Sequence, residues 1–137
     1  MKVIVTGGAG FIGSTLVDEL IKHNHEVIVI DNLSTGTEKY LNQKARFIEC
    51  DISNDEQFEY AEYFFDGVDV VFHTAAMPRV QPSIEDPVRY HEVNVLGTLK
   101  LLMACRDNNV KRFVFSSSSS VYGNPKTLPA VEGHELN

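Results

Sequence analysis

Three glycines near the start of the chain have the spacing that most directly indicates a binding chemistry. The segment reads Gly7-Gly8-Ala9-Gly10-Phe11-Ile12-Gly13 and so contains the pattern G-x-x-G-x-x-G. Without side chains at these three positions, the backbone can turn tightly and approach a pyrophosphate. The charge of that group is then held by amide N–H groups and by the positive end of a helix dipole. Taken alone, the pattern is equally compatible with a flexible loop before a helix, so its surroundings must decide.

Asp31 supplies the second part of a dinucleotide-binding pattern. An apolar strand-like run precedes the glycines, a helical stripe follows them, and Asp31 ends the next strand-like run, roughly 20 residues further on. A carboxylate there can accept hydrogen bonds from the hydroxyls of an adenosine ribose. Asn32 follows, and no arginine or lysine occurs before Lys39, whereas a cation is expected beside the 2′-phosphate of NADP. The sequence therefore predicts a site for NAD.

The elements that must position these residues alternate between apolar runs and helical stripes. This alternation is typical of a parallel sheet covered by helices on both faces. The first helix is predicted to stop at Asn24, and a second to run from about Asp55, capped by Ser53, until Gly67. We expect an α/β fold of the Rossmann type, a doubly wound parallel sheet of five strands in the order 3-2-1-4-5. The predicted strands are Val3–Val5, Val27–Ile30, Phe47–Ile48, Val70–Phe72 and Phe113–Phe115.

The second half of the chain is predicted to contain a proline-rich loop and a long helix. Pro78, Pro82 and Pro87 interrupt regular structure, which predicts a loop at the carboxyl end of the fourth strand. A helix is expected from about Val88 to Asn108, with one apolar stripe for the sheet and a second for a neighbouring helix or a second subunit. The two stripes are Val93, Gly97, Leu101 and Ala104, and Val95, Leu99, Leu102 and Met103.

Composition limits the classes of protein that need to be considered. A length of 137 residues fits one domain, and a net charge of −7 argues against nucleic-acid binding. No apolar stretch is long enough for a membrane span, and the first strand begins too close to Met1 for a signal peptide. Cys50 and Cys105 have neither metal-ligand nor disulfide spacing, so both are interpreted as small buried hydrophobes. We expect a cytoplasmic protein without a metal and without nucleic-acid or membrane partners.

These features together resemble the extended short-chain dehydrogenase/reductases, and within them the NAD-dependent epimerase/dehydratase family. The resemblance covers essentially the whole chain. The run of serines after the fifth strand lacks the acidic pair usual in the dehydratase branch, which favours the epimerases that act on nucleotide sugars. Besides the glycines, the matching segments are Asp31–Ser34, Asp51–Ile52, His73–Ala76, Asn94–Thr98 and Ser116–Gly123.

The resemblance implies how individual residues contact the cofactor. Phe11 and Ile12 would cover the pyrophosphate, although they could instead simply pack the helix. Asp51, with Ile52, would touch the adenine, although its carboxylate could instead cap the next segment. His73 is interpreted as a packed structural histidine rather than an acid or a base. The residues expected to bind the cofactor are Gly7, Gly10, Phe11, Ile12, Gly13, Asp31, Asn32, Ser34, Gly36, Asp51, Ile52, Ala75, Ala76, Asn94 and Ser116.

Two of these expectations concern the side of the site that faces the nicotinamide. Ala75 and Ala76 resemble the small residues that lie beside the nicotinamide ribose, and Asn94 would tie its helix to the cofactor strand. Ser118 matches the family's catalytic serine, which hydrogen-bonds the 4-hydroxyl of the sugar. Without the flanking strand and Val121-Tyr122-Gly123, this serine run would be read as a solvated loop.

The catalytic base of the family has no match in the sequence. That base is a tyrosine in a helical Y-x-x-x-K pair, where the lysine lowers the phenol's pKa from about 10. Tyr122 to Lys126 has the spacing, but Gly123 and Pro125 prevent the helical turn that would align the pair. The true pair is expected just beyond Asn137. Residues 1–137 are thus interpreted as an incomplete NAD-binding domain without its substrate domain, inactive alone.

The activity implied by the resemblance is epimerisation of a UDP-sugar by transient oxidation at C4, in a homodimer. Two alternatives stay open: another dehydratase, decarboxylase or reductase of the same group, and a non-catalytic NAD-binding module. The fifth strand is expected to be an exposed apolar edge that favours association between chains.

Overall fold

A parallel sheet of five strands forms the centre of the molecule. The computed structural model describes residues 1–125 and 127–136. Each pair of neighbouring strands is parallel, and the order is β3-β2-β1-β4-β5. The predicted fold class and strand order are therefore confirmed. The strands are β1 Lys2–Thr6, β2 Glu26–Asp31, β3 Arg46–Glu49, β4 Val70–His73 and β5 Arg112–Phe115.

Alternate residues of the central strands enter two separate cores, one on each face of the sheet. Val3 and Val5 pack against Val17 of helix α1, which spans Phe11–Lys22. Ile4, between them, points to the opposite face and joins the core that contains Leu101. Since side chains alternate across a strand, a run of consecutive apolar residues is what a strand buried on both faces requires.

The first two helices follow the prediction except at one cap. Helix α1 ends just before Asn24, whose φ of 59° is the predicted left-handed stop. Helix α2 spans Asp55–Glu62 and continues as a 3-10 turn over Tyr63–Phe65. Its cap is Asn54, whose side chain accepts a hydrogen bond from the Gln57 N–H at 3.0 Å. The prediction that Ser53 caps this helix was wrong by one residue. The Ser53 hydroxyl instead donates a hydrogen bond to Asp51.

The proline-rich segment is helical, so the prediction of a loop there was wrong. It forms α3, Val80–Glu85, and α4, Pro87–His91. Pro82 and Pro87 lie in the first turns of these helices, where a backbone N–H has no acceptor within the helix and its loss costs little. After α4 the chain forms a π-helical segment, Glu92–Gly97, and then helix α5, Thr98–Asp107.

The two apolar stripes of this long helical region have different environments. Leu101 and Ala104 are fully buried against the sheet, as predicted for the first stripe. Val95 and Leu99 of the second stripe are about half exposed, at 50% and 51%. Phe115, on the edge strand β5, is exposed to a similar degree. Among residues 1–125 and 127–136, no helix is long and apolar enough to cross a membrane.

Candidate functional site

The carboxyl ends of β1, β2 and β4 open into one cleft, which lies where the strand order reverses. Parallel sheets bind ligands at this point because the connections leave the two central strands in opposite directions. Most of the residues predicted to contact a cofactor converge here from four separate segments. Those that line the cleft are Gly7, Gly10, Asp31, Asn32, Ser34, Asp51, Ile52, Ala75 and Ala76.

The glycine loop forms one wall of the cleft and tolerates no side chain at two of its positions. Gly7 has a φ of +72°, and a Cβ there would lie 2.6 Å from the backbone nitrogen of Ala75. A Cβ on Gly13 would lie 2.1 Å from the carbonyl oxygen of Gly7. Both distances are below any real contact. The glycines thus permit β1, α1 and the end of β4 to meet closely, which leaves a cradle of backbone for a phosphate group.

Phe11 and Ile12 begin α1 beside this cradle, and both are exposed. Their side chains are 86% and 68% accessible, so packing of the helix does not account for them. Gly10, the N-cap residue, supplies no side-chain cap. The positive end of the helix dipole is therefore available to an anion. The prediction that Phe11 and Ile12 cover a pyrophosphate fits this position.

Asp31 connects the glycine loop to the loop that follows β2. One carboxylate oxygen accepts a hydrogen bond from the Ala9 N–H at 3.0 Å, and the other accepts one from the Leu33 N–H at 2.8 Å. A carboxylate offers about four acceptor positions, so two are left for a ligand. Gly36 lies in the same loop but packs against Ala9, where a Cβ would lie 2.7 Å from the Ala9 carbonyl oxygen. Its contribution is thus to bring the two loops together.

Asp51 is the centre of a polar cluster on the opposite wall. It accepts hydrogen bonds from the Ser53 N–H at 2.9 Å and the Ser53 hydroxyl at 2.5 Å, from the Asn32 amide at 3.0 Å, and from Arg89. Burial alone would raise the pKa of Asp51. The hydrogen bonds from Ser53, Asn32 and Arg89 outweigh it and lower the pKa to about 2. Asp51 therefore organises the turn before α2, although the residue that caps this helix is Asn54.

His73 is buried behind the cleft and bridges three elements. Its Nδ1 lies 2.7 Å from the Thr6 hydroxyl, and its Nε2 lies 2.8 Å from the Thr98 hydroxyl. Thr98 donates to the carbonyl oxygen of Asn94, which assigns the proton of the imidazole to Nε2. Burial lowers the pKa of His73 to about 4, so the ring is neutral near pH 7. It is a packed structural histidine, as predicted.

Asn94 fixes the helical region to the segment that follows β4. Its side-chain oxygen accepts a hydrogen bond from the Met77 N–H at 2.8 Å, and its amide donates to the Met77 carbonyl at 3.1 Å. The side chain is thus paired to the backbone on both sides. Asn94 positions the strip Ala75 to Met77 along the cleft rather than lining the cleft itself.

The serine run lies apart from the cleft. Ser116 donates its N–H to the His73 carbonyl at 3.1 Å, which extends the pairing of β5 with β4. Ser118 is exposed and contacts Ser120, accepting from its N–H and donating to its hydroxyl, both at 3.2 Å. A 3-10 turn that ends at Tyr122 follows, with Gly123 as its C-cap. Lys126, the second member of the sequence pair that begins at Tyr122, lies outside the described residues.

Several residues that line the cleft had not been expected from the sequence. Thr74 lies inside the matching segment His73–Ala76, so its position next to Ala75 could have identified it as a cleft residue. Arg89 had no such signal: a helix was predicted from about Val88, but nothing in the sequence indicates that this side chain reaches Asp51. The residues missed are Ile30, Thr35, Cys50, Thr74, Met77, Arg89 and Val93.

Comparison with known proteins finds similarity over the whole chain. The family described as NAD dependent epimerase/dehydratase matches residues 3–136. UDP-glucose 4-epimerase from Lactobacillus helveticus is 45% identical over 138 residues, which cover all of this chain and 41% of that protein. The crystal structure of Thermus thermophilus UDP-glucose 4-epimerase in complex with NAD superposes with a TM-score of 0.89 at 42% identity, covering 100% of this chain and 44% of that one. The corresponding enzyme of Thermotoga maritima, solved with UDP-glucose, gives a TM-score of 0.88 at 41% identity.

The match is limited to one part of these relatives. This chain covers 45% of the Thermotoga maritima protein, and so spans less than half the length of the three relatives described. The family match and the relatives confirm the resemblance inferred from the residues, and with it NAD as the cofactor.

Proposed function

We propose, given that the chain belongs to the NAD dependent epimerase/dehydratase family, that it is the cofactor-binding part of a UDP-glucose 4-epimerase. The observation that carries this proposal is the convergence of the glycine loop, Asp31 and Asp51 on one cleft. The names of the similar proteins support the choice of reaction. The substrate would be a UDP-sugar whose configuration is inverted at C4.

Each wall of the cleft has a separate task in this proposal. The glycine loop and the start of α1 would hold the pyrophosphate, and Asp31 would accept hydrogen bonds from the ribose hydroxyls. Bound NAD supplies a hydride acceptor and donor for oxidation and reduction at C4. Ala75 and Ala76 would leave space beside the nicotinamide because their side chains are small. Asp31 would also disfavour NADP, since a carboxylate repels a 2′-phosphate.

Ser118 is the residue proposed to contact the sugar. Its exposed hydroxyl would hydrogen-bond the 4-hydroxyl and steady that oxygen while a base removes the proton. The base would be the family's tyrosine, which no residue of the described chain supplies in a helical Y-x-x-x-K pair. We therefore expect the 137-residue chain to bind NAD without converting UDP-galactose into UDP-glucose.

Two experiments test the proposed reaction. The first incubates the purified chain with NAD and UDP-galactose. Measurable formation of UDP-glucose would contradict the expectation that these residues bind NAD but lack the catalytic base. The second sequences the gene past the codon for Asn137. We expect Y-x-x-x-K within about ten residues on a helical pattern. A stop codon there would overturn the epimerase proposal and favour the alternative, a non-catalytic NAD-binding module.

The exposed apolar stripe that runs from the π-helical segment into α5 supports a proposal about assembly. Its residues, Val95, Leu99, Leu102 and Met103, are each between 43% and 51% exposed, which is a large apolar surface for one helical region. We propose that it packs against a second copy in a cytoplasmic homodimer. Light scattering of the chain and of Leu99→Glu tests this, with a twofold difference in mass expected. Equal masses for the two proteins would contradict it.

A further inference from the structure

A network of three hydrogen bonds connects helix α5 to the carboxyl end of β1. Thr98 donates its hydroxyl proton to the carbonyl oxygen of Asn94 at 2.8 Å. The Thr98 hydroxyl oxygen accepts from Nε2 of His73 at 2.8 Å, and Nδ1 of His73 accepts from the Thr6 hydroxyl at 2.7 Å. Because a carbonyl oxygen can only accept, it fixes the donor of every bond in this Thr98–His73–Thr6 network.

The imidazole in the middle of the network is packed as well as hydrogen-bonded. Phe113 and Phe115 of β5 contact the ring, with centroids 5.7 and 5.5 Å from its own. His73 and Thr6 are both buried. A buried polar group must keep its partner, because water is not available to replace it. A change at Thr98 therefore alters the hydrogen bonds that are available to Thr6.

Thr6, at the far end of the network, holds the backbone that forms one wall of the cleft. Its hydroxyl gives its proton to His73, so its oxygen can accept from the Ala75 N–H at 3.4 Å. The Thr6 carbonyl oxygen accepts from the Thr74 N–H at 3.1 Å and from the Thr74 hydroxyl at 2.6 Å. Thr74 and Ala75 both line the cleft. The network thus supports this wall from behind.

Asn94 holds the other end of the same wall. Its carbonyl oxygen accepts from Thr98, and its side chain pairs with the N–H and the carbonyl of Met77 at 2.8 and 3.1 Å. Asn94 lies in the π-helical segment, and such segments are frequent at functional sites. The strip Ala75 to Met77 is thus fixed at both ends from one turn of the helical region.

We propose that Thr98 is a positioning residue for the nicotinamide ring of bound NAD. It acts through His73 and Thr6 on the strip Ala75 to Met77, beside which the ring would lie. Thr98 itself makes no contact with the cofactor. This inference rests on the proposed function, since it presupposes that the cleft binds NAD with its nicotinamide at Ala75 and Ala76.

Removal of the Thr98 hydroxyl leaves a buried donor without a partner in either tautomer of His73. With the imidazole proton on Nε2, that N–H loses its acceptor. With the proton on Nδ1, the imidazole donates to Thr6, and the Thr6 hydroxyl loses the acceptor of its own proton. An unpaired buried donor is costly, so we expect the backbone around Ala75 to shift.

Calorimetric titration with NAD and with ADP-ribose tests the proposal, because ADP-ribose lacks the nicotinamide ring. We expect the unaltered chain to bind NAD more tightly than ADP-ribose. Thr98→Val should weaken the binding of NAD about fivefold and leave that of ADP-ribose unchanged. Thr98→Ala removes the same hydroxyl and provides the comparison if Thr98→Val does not fold.

Two further variants serve as controls. Thr98→Ser keeps the hydroxyl, so its ratio of NAD affinity to ADP-ribose affinity should equal that of the unaltered chain. Thr15→Val removes a hydroxyl that also donates to a carbonyl oxygen four residues earlier in its helix, but at an exposed position of α1. This variant should likewise keep the ratio.

Three results would overturn the inference about Thr98. Equal losses of affinity for NAD and ADP-ribose in Thr98→Val would mean that Thr98 only stabilises the fold. Unchanged affinity for both ligands, with only a lower thermal midpoint, would mean that the strip does not depend on Thr98. Equal affinity of the unaltered chain for NAD and ADP-ribose would mean that the strip does not hold the nicotinamide ring.

The failure of the proposed function gives a different result. If the unaltered chain binds neither NAD nor ADP-ribose, both proposals fail together. If it binds NAD more tightly than ADP-ribose and Thr98→Val keeps that ratio, only the inference about Thr98 fails.

Discussion

The two ends of the proposed site differ in how their side chains are held. At the dinucleotide end, Asp31 and Asp51 each accept hydrogen bonds from two or more other residues of the chain. At the sugar end, Ser118 is exposed, and among the described residues its hydroxyl bonds only to Ser120. The first region is thus organised within this chain. The second contains a reactive group that nothing nearby positions.

This difference follows from the order of the elements along the chain. The dinucleotide end is built by β1, β2 and β4, which occupy the middle of the sheet and are covered on both faces. Ser118 follows β5, which lies at the edge, where Val114 and Phe115 are exposed. A site on central strands is preorganised by the core, whereas a site on an edge strand depends on whatever packs beside it. Three predictions separate these two regions experimentally.

The largest effect is expected from Gly13→Ala in the dinucleotide end. The new Cβ would lie 2.1 Å from the Gly7 carbonyl oxygen, so the loop must move. We expect the free energy of unfolding to fall by about 3 kcal/mol and calorimetric NAD binding to be lost. Gly133→Ala is the control, because a Cβ there meets nothing within 4 Å. Normal NAD binding by Gly13→Ala would show that the tight contact is not required.

A pH-dependent effect is expected from His73, which supports the same region from behind. Its pKa of about 4 lies below the usual value of 6.5, so the unfolded chain binds more protons between these pH values. The stabilisation is complete above pH 6.5 and is lost as the pH falls towards 4, by about 3 kcal/mol in total.

Urea denaturation at several pH values measures this effect. His73→Gln should lose that part of the slope, whereas His23→Gln, at an exposed position, should keep it. An unchanged slope in His73→Gln would mean that other groups cause the loss of stability in acid.

The smallest effect is expected at the sugar end. Because Ser118 is exposed and bonds only locally, Ser118→Ala should change the free energy of unfolding by less than about 0.5 kcal/mol. Its NAD affinity should equal that of the unaltered chain. Chemical denaturation and calorimetry provide both numbers. A clear loss of stability or of NAD affinity would show that other residues of this chain do position the serine run.

The parts of the site that were predictable from sequence are those that depend on local patterns. The glycine spacing before α1 and the carboxylate at the end of β2 lie in one βαβ unit, so Gly7 and Asp31 were identified from residue type and position. The helix over Val80–Glu85 was missed because prolines were assumed to break it, although the first turn of a helix accommodates them.

Contacts between distant segments could not be inferred in this way. Arg89 meets Asp51 across 38 positions of sequence, and no periodicity indicates such a pair. The set of hydrogen bonds to Asp51 from Ser53, Asn32 and Arg89 likewise depends on the packing of three segments. Sequence thus identified the residue types needed for a dinucleotide, and the fold determined which contacts each of them makes.

A calorimetric titration of the unaltered chain with NAD and with NADP tests most directly whether the dinucleotide end is complete within these residues. We expect saturable binding of one NAD per chain, and NADP binding weaker by about tenfold or more, because the Asp31 carboxylate proposed to accept hydrogen bonds from the ribose hydroxyls would repel a 2′-phosphate. Absence of NAD binding would contradict the claim that the dinucleotide end is complete within these residues. Equal or tighter binding of NADP would contradict the role assigned to Asp31.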